Sequence, residues 1–89
     1  MQNTVRPLKK SVHTPQQRQL QALLREIREQ AGLSQRELSA RLGVPQSRVS
    51  DYERGESLPD ILVLRQYLDA QDVSLPSFVA RLERLLAES

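Results

Sequence analysis

Short polar side chains recur on one face of residues 46–54, QSRVSDYER. If Val49 and Tyr52 face inward on a helix, the remaining positions share the opposite face. That face carries Gln46, Ser47, Ser50, Asp51 and Arg54. Glutamine can bond adenine N6 and N7 together, serine can serve any base, and aspartate can accept from cytosine N4. The face is therefore suited to lie close in the major groove of DNA, although phosphate repels Asp51, which could instead exclude wrong sequences.

A second group of residues could bind phosphate. Ser34 and Gln35 stand at the predicted amino end of a helix, where free N–H groups and the helix dipole attract an anion. Arg36, Arg48 and Arg54 are further candidates for phosphate contacts. The alternative for each arginine is an ordinary solvated charge.

The sequence has few residues of the types that usually act in catalysis or bind metals. The chain has no cysteine, and His13 is its only histidine, so it has neither a His pair nor a Cys/His cluster with metal spacing. No Gly-rich phosphate loop appears either. We expect no catalytic residues, no metal and no cofactor, and a protein that is not an enzyme.

Two short helices joined by a tight turn position the polar face. Ser34 and Glu37 form a capping box that predicts a helix over residues 35–42, and Gly43 can leave that helix with positive φ. The next helical pattern covers residues 46–54 and stops at Gly55. Together they predict a helix-turn-helix over residues 34–55.

Residues 32–55, GLSQRELSARLGVPQSRVSDYERG, resemble the lambda-repressor/Cro-like (XRE-type) helix-turn-helix DNA-binding domains. The resemblance covers roughly residues 15 to 80 and implies an all-α, five-helix lambda-repressor-like fold. It also implies base reading by Gln46, Ser47 and the Ser50/Asp51 pair.

The same resemblance implies three further contacts. Gln35 would hold a backbone phosphate and steady Gln46. Arg28 on the first helix would form a partly buried structural ion pair with Glu53, although two solvated charges are the alternative.

Pro45 departs from the family, which often places Ser or Thr there, so we expect a weaker cap on the third helix.

The remaining helices follow from apolar spacing. The first starts at Thr14-Pro15 and ends at Gly32. The fourth is expected over about 61–71 with Asp60 as its cap, and the fifth begins at Ser74-Leu75-Pro76. The expected inward residues of the fourth are Ile61, Leu64 and Leu68. Those of the fifth are Leu75, Phe78, Val79, Leu82, Leu85 and Leu86.

The net charge of +2 is unevenly distributed. Residues 1–31 carry six Lys/Arg and two Glu, whereas residues 59–89 carry three Arg and five acids. Residues 1–13 have no helical periodicity and are expected to be a flexible basic arm that lies on DNA or stays a solvated tail. Residues 14–89 would form the DNA-binding domain. Since no apolar run could span a membrane, we expect a cytoplasmic, nucleoid-associated protein.

The function implied is a sequence-specific regulator of a bacterium or phage, most simply a repressor that binds a two-fold operator on double-stranded DNA as a homodimer. An autoregulating antitoxin with a toxin partner is one such case. The fourth helix has Leu62 and Val63 beyond its stripe, and the fifth has six apolar residues in about twelve. This apolar excess places the dimer contact on these two helices, at Leu62, Val63, Leu85 and Leu86, unless the fifth helix only closes the monomer core. The alternative function is a protein-interaction module that keeps the fold without reading specific DNA.

Overall fold

The computed structural model describes residues 14–88. Those residues form five α-helices and no strand. The helices are α1 (Pro15–Gln30), α2 (Gln35–Leu42), α3 (Gln46–Arg54), α4 (Ile61–Asp69) and α5 (Leu75–Glu88). The expected all-α, five-helix architecture is confirmed. None of the described helices has the length and apolar character needed to cross a membrane.

Side chains at the predicted positions begin the helices. The Thr14 hydroxyl and the Asp60 carboxylate each accept a backbone N–H from the first turn of their helix. Ser34 and Glu37 form the complete capping box of α2, at 2.9 and 3.0 Å. Pro45 supplies no side-chain cap to α3, as expected of a residue without a side-chain acceptor. Helix α3 nevertheless begins at the predicted residue.

Two glycines set the path of the chain around α3. Gly43 has φ +69° and turns the chain between α2 and α3, with open space around the position of a β-carbon. Gly55 has φ +77° and ends α3 directly against the Gln21 amide of α1, where a β-carbon would collide. Since glycine enters this conformation without strain, the ends of α2 and α3 both depend on it. The close approach at Gly55 also seats the end of α3 on α1.

The core lies where α1, α3, α4 and α5 meet. Its fully buried members come from every helix, with Leu33 added from the α1–α2 turn. They are Leu23, Leu24, Ile27, Leu33, Leu38, Val49, Tyr52, Tyr67, Leu68 and Phe78. Helix α3 packs on α2 and α1, and α5 packs on α1 and α4. The polar face of α3 is thereby left on the outside.

Helix α4 departs from the sequence prediction. Ile61, expected to face inward, is exposed, whereas Val63 packs against the core. Ile61 lies on the same side of the helix as Leu68 but about 10 Å earlier along the axis, at the uncovered end. The helix also ends at Asp69 rather than near residue 71, because Asp72 adopts a left-handed conformation with φ 59°.

Helix α5 follows its predicted stripe with one exception. Phe78 is fully buried, and Leu75, Leu82 and Leu85 pack against the core. Val79 was expected to face inward but is exposed. Its position is rotated by about 100° from Phe78 around a helix of 3.6 residues per turn, which turns it off the buried face.

Candidate nucleic-acid interface

The four predicted base readers lie together on the outer face of α3. Gln46 and Ser47 are exposed in its first turn, and Ser50 and Asp51 are half-buried one turn later. Their positions follow from the burial of Val49 and Tyr52 on the opposite side. The face therefore presents amide, hydroxyl and carboxylate groups to solvent, which are the groups that can bond to base edges.

The start of α2 adjoins this face. Ser34 is exposed, and its hydroxyl accepts the Glu37 N–H. The bonds from the Ser34 backbone N–H and hydroxyl hold the pKa of the Glu37 carboxyl below its usual value. The cap thus fixes the first turn of α2, where the dipole and the remaining free N–H groups favour an anion.

Gln35 makes a contact that the sequence did not indicate. Its Nε2 donates to Glu53 Oε1 at 3.1 Å, and within residues 14–88 it forms no hydrogen bond to Gln46. In the free protein, this hydrogen bond to the buried Glu53 carboxylate of α3 therefore fixes the Gln35 amide. Because the amide has two N–H donors and a carbonyl, one bond to Glu53 leaves hydrogen-bonding capacity for a phosphate oxygen.

The ion pair predicted between Arg28 and Glu53 is present. Arg28 Nε and Nη2 donate to the two Glu53 oxygens at 2.6 and 3.0 Å, and Nη1 donates to the Leu33 carbonyl at 2.8 Å. The side chains are 11% and 4% exposed, so the pair is largely withdrawn from water. Its hydrogen bonds to Glu53 raise the pKa of Arg28 above the ordinary value. Glu53 thus joins α1, α2 and α3.

Tyr67 places α4 beside the same junction. Its ring meets that of Tyr52 edge-to-face, with centroids 6.0 Å apart. Burial raises the pKa of the Tyr67 phenol, and the negative charge of Glu53 acts in the same direction. Tyr67 is not among the residues that the apolar spacing of the fourth helix predicts to face inward. The sequence did contain one indication of this role, a tyrosine among the leucines of an apolar helix. A buried tyrosine hydroxyl usually lies next to polar groups of other elements.

The three candidate arginines differ in their surroundings. Arg36 and Arg48 are exposed, and their guanidinium groups form no hydrogen bond or ion pair with any described residue. Arg54 is different, because its Nη2 donates to Asp51 Oδ1 at 2.8 Å. Arg54, a candidate for phosphate binding, is therefore paired in the free protein with Asp51, a candidate for base reading.

Groups of three or more His, Cys, Asp or Glu that could hold a metal ion do not occur within residues 14–88. His13 and the rest of the predicted basic arm, residues 1–13, lie outside the described residues.

A helix-turn-helix family model matches residues 24–78, which is more than half of the chain. The match includes all of α2, α3 and α4, together with the Arg28–Glu53 pair. The chain belongs to the XRE-type, lambda-repressor/Cro-like helix-turn-helix family. No curated protein matches the sequence.

As an XRE-type helix-turn-helix domain, the protein is a DNA-binding regulator. The family is a regulatory one and not typically catalytic. The family match begins within α1 and ends at Phe78, so most of α5 lies beyond it. The XRE-type core is thus α2, α3 and α4 with the second half of α1, and α5 packs onto it.

Proposed function

We propose that the protein is a sequence-specific repressor that reads DNA through the outer face of α3 and binds a two-fold operator as a homodimer. The observation that carries the proposal is the division of α3 into two faces. Val49 and Tyr52 are buried, while Gln46 and Ser47 are exposed in the first turn. With its apolar side chains buried, the exposed first turn presents the Gln46 amide and the Ser47 hydroxyl, which can bond to base edges in the major groove.

Phosphate contacts would hold this helix in register. Ser34 and Gln35 supply the amino end of α2, and Arg36 and Arg48 supply guanidinium groups that have no partner among residues 14–88. Such contacts position a protein on DNA without reading its sequence. Gln35→Ala should therefore weaken binding to all duplexes by similar factors. Arg48→Ala should also reduce the slope of log affinity against log salt by about 0.9.

Gln46 provides the sharpest test of base reading. A bidentate glutamine–adenine contact is worth about 1–3 kcal/mol of discrimination, or roughly 5- to 150-fold. Gln46→Ala should lower affinity for the preferred duplex by that factor and leave binding to a scrambled duplex nearly unchanged. Gln30→Ala is the matched control, because Gln30 is exposed on α1 and its described hydrogen bonds are to Glu26 and Arg81 rather than to α3.

Affinities of the two variants are measured by electrophoretic shift on the preferred and the scrambled duplex. If Gln46→Ala lowered the affinity for both duplexes equally, Gln46 would contribute to DNA binding without reading a base. Equal affinities of the wild-type protein for both duplexes would contradict sequence-specific binding itself.

The dimer surface proposed here is centred on Leu62. Leu62 is 71% exposed, and Ile61 and Leu58, one and four residues earlier in the sequence, are exposed as well. Two of the residues expected at this contact, Val63 and Leu85, pack against the core of the monomer. Leu86, the fourth, is half-buried. An apolar cluster at the start of α4 is unusual on the surface of a small domain and is typical of an interaction surface.

A two-fold contact at this surface would use the same residues on both protomers. A dimer made there would leave the outer face of α3 free on both protomers. Half-sites about one helical turn apart, roughly 34 Å, are what this class of dimer reads.

A further inference from the structure

We infer that Asp51 and Arg54 act as one neutral reading unit, in which Arg54 positions the Asp51 carboxylate to accept a hydrogen bond from cytosine N4. The inference rests on the proposed function and deepens it by naming a base contact and removing Arg54 from the phosphate contacts. Its structural basis is the 2.8 Å bond from Arg54 Nη2 to Asp51 Oδ1.

Asp51 is the one carboxylate that α3 presents outward. The other acid of the helix, Glu53, is buried against Arg28 and only 4% exposed. The Asp51 and Arg54 side chains are 37% and 62% exposed, so the pair lies at the surface of the face that carries Gln46 and Ser47. A base reader on α3 that accepts through a carboxylate has to be Asp51.

An unpaired carboxylate would be costly at that position. Double-stranded DNA carries one negative charge per about 1.7 Å of its axis, so a bare Asp51 would be repelled from any groove. The guanidinium of Arg54 cancels that charge at hydrogen-bond distance. Neutralisation makes the carboxylate tolerable on a surface that approaches phosphate.

The pairing leaves one carboxylate oxygen available. Arg54 contacts Oδ1, and Asp51 Oδ2 has no hydrogen-bond partner within residues 14–88. The hydrogen-bond donors that base pairs offer in the major groove are the amino groups of cytosine N4 and adenine N6. Carboxylates pair with cytosine N4, whereas the glutamine type of Gln46 suits adenine. The unit therefore adds a cytosine requirement to the sequence that α3 reads.

The pairing also changes the expected salt dependence. A free Arg54 on a phosphate would contribute about 0.9 to the slope of log affinity against log salt. A guanidinium neutralised by Asp51 contributes no net charge and releases no additional counterion. Removing the Asp51 charge would free Arg54 for phosphate and steepen the slope, whereas removing an independent base reader would leave the slope unchanged.

The test compares wild type, Asp51→Asn, Arg54→Gln and the double variant. Affinities are measured over a range of salt on two duplexes. One is the duplex that the wild-type protein selects from a random pool, and the other is poly(dI-dC). Asp51→Asn should steepen the slope by about 0.9 on both duplexes and lose the preference for cytosine at one position. The double variant should return to the wild-type slope.

Two results in the salt dependence would overturn the inference. One is an unchanged slope with Asp51→Asn, and the other is a double variant whose slope is about 0.9 smaller than that of wild type, as expected of an independent phosphate contact. An unchanged base preference in Asp51→Asn would likewise remove the reading role. Melting curves confirm that each variant folds. The exposed side chains do not support the core, and the Asp51 carbonyl that accepts the Glu56 N–H remains in place.

The outcome separates this inference from the proposed function. A wild-type protein that selects a defined motif, with a slope unaffected by Asp51→Asn, would overturn the reading unit alone. A wild-type protein that selects no motif would overturn both.

Discussion

Replacing Arg28 by alanine should destabilise the fold severely, because it leaves the Glu53 carboxylate buried without its cation. Glu53 would lose two hydrogen bonds of 2.6 and 3.0 Å, and the Leu33 carbonyl would lose its 2.8 Å donor. Removing one partner of a buried ion pair costs about 3–5 kcal/mol. In a domain of this size each kcal/mol lowers the melting temperature by about 4–8 °C. We therefore expect a fall of at least about 12 °C.

Arg25→Ala is the matched control one turn earlier on α1. Arg25 pairs with Glu29 at 3.5 Å, but those side chains are 65% and 57% exposed. Exposed pairs contribute about 0–1 kcal/mol, so the melting temperature should change by only a few degrees. Thermal unfolding followed by circular dichroism at 222 nm, a wavelength sensitive to helix, compares the two variants directly.

Equal melting temperatures for Arg28→Ala and Arg25→Ala would refute the reasoning. Such a result would mean that water or another side chain compensates Glu53 after Arg28 is removed. The Gln35 amide already donates to Glu53 and is the candidate to take that role. The double variant Arg28→Ala, Gln35→Ala would then reveal the compensation as a further loss of stability.

Three further predictions concern α2, the glycines and the dimer. The lowered pKa of Glu37 stabilises the fold above about pH 4.5, its unperturbed value, and that stabilisation is lost as pH falls through the folded-state pKa. Urea unfolding of wild type and Glu37→Gln should therefore differ most at neutral pH and converge in acid; a constant difference would contradict the pKa shift. Gly43→Ala and Gly55→Ala should each cost about 1–2 kcal/mol of backbone strain, because both positions have positive φ. Gly55→Ala should cost slightly more, because its β-carbon has to displace the flexible Gln21 amide; a smaller loss than that of Gly43→Ala in melts would contradict this contact. In sedimentation at tens of micromolar, Leu62→Lys should dissociate a wild-type dimer while the charge-matched Ala22→Lys, exposed on α1, should not; a monomeric wild type or a dimeric Leu62→Lys would exclude this surface.

The limits of α2 and α3 were predictable from sequence because local chemistry decides them. The Ser34–Glu37 capping box begins α2, and positive-φ glycines end both helices. The end of α4 was not predictable to the same accuracy. There, Asp72 rather than a glycine takes the left-handed conformation, and aspartate gives a weaker signal for it. The exposure of Ile61 depends on how far the other helices extend along α4, which periodicity does not report.

The candidate site was predictable as a set of residues but not as a set of contacts. Helical spacing predicts that Gln46 and Asp51 share a face, because burial of Val49 and Tyr52 determines the opposite one. It does not determine which partner a flexible polar side chain selects. Gln35 bonds to Glu53, and Arg54 bonds to Asp51. Both choices depend on the three-dimensional distances and on competition among several donors.

Selection of bound duplexes from a random pool tests most directly whether the outer face of α3 reads DNA sequence. The wild-type protein should enrich one motif with two-fold symmetry, with half-sites about one helical turn apart. The same selection with Gln46→Ala should relax one position in each half-site. Failure of the wild-type protein to enrich any motif, or an unchanged motif with Gln46→Ala, would contradict this role of α3.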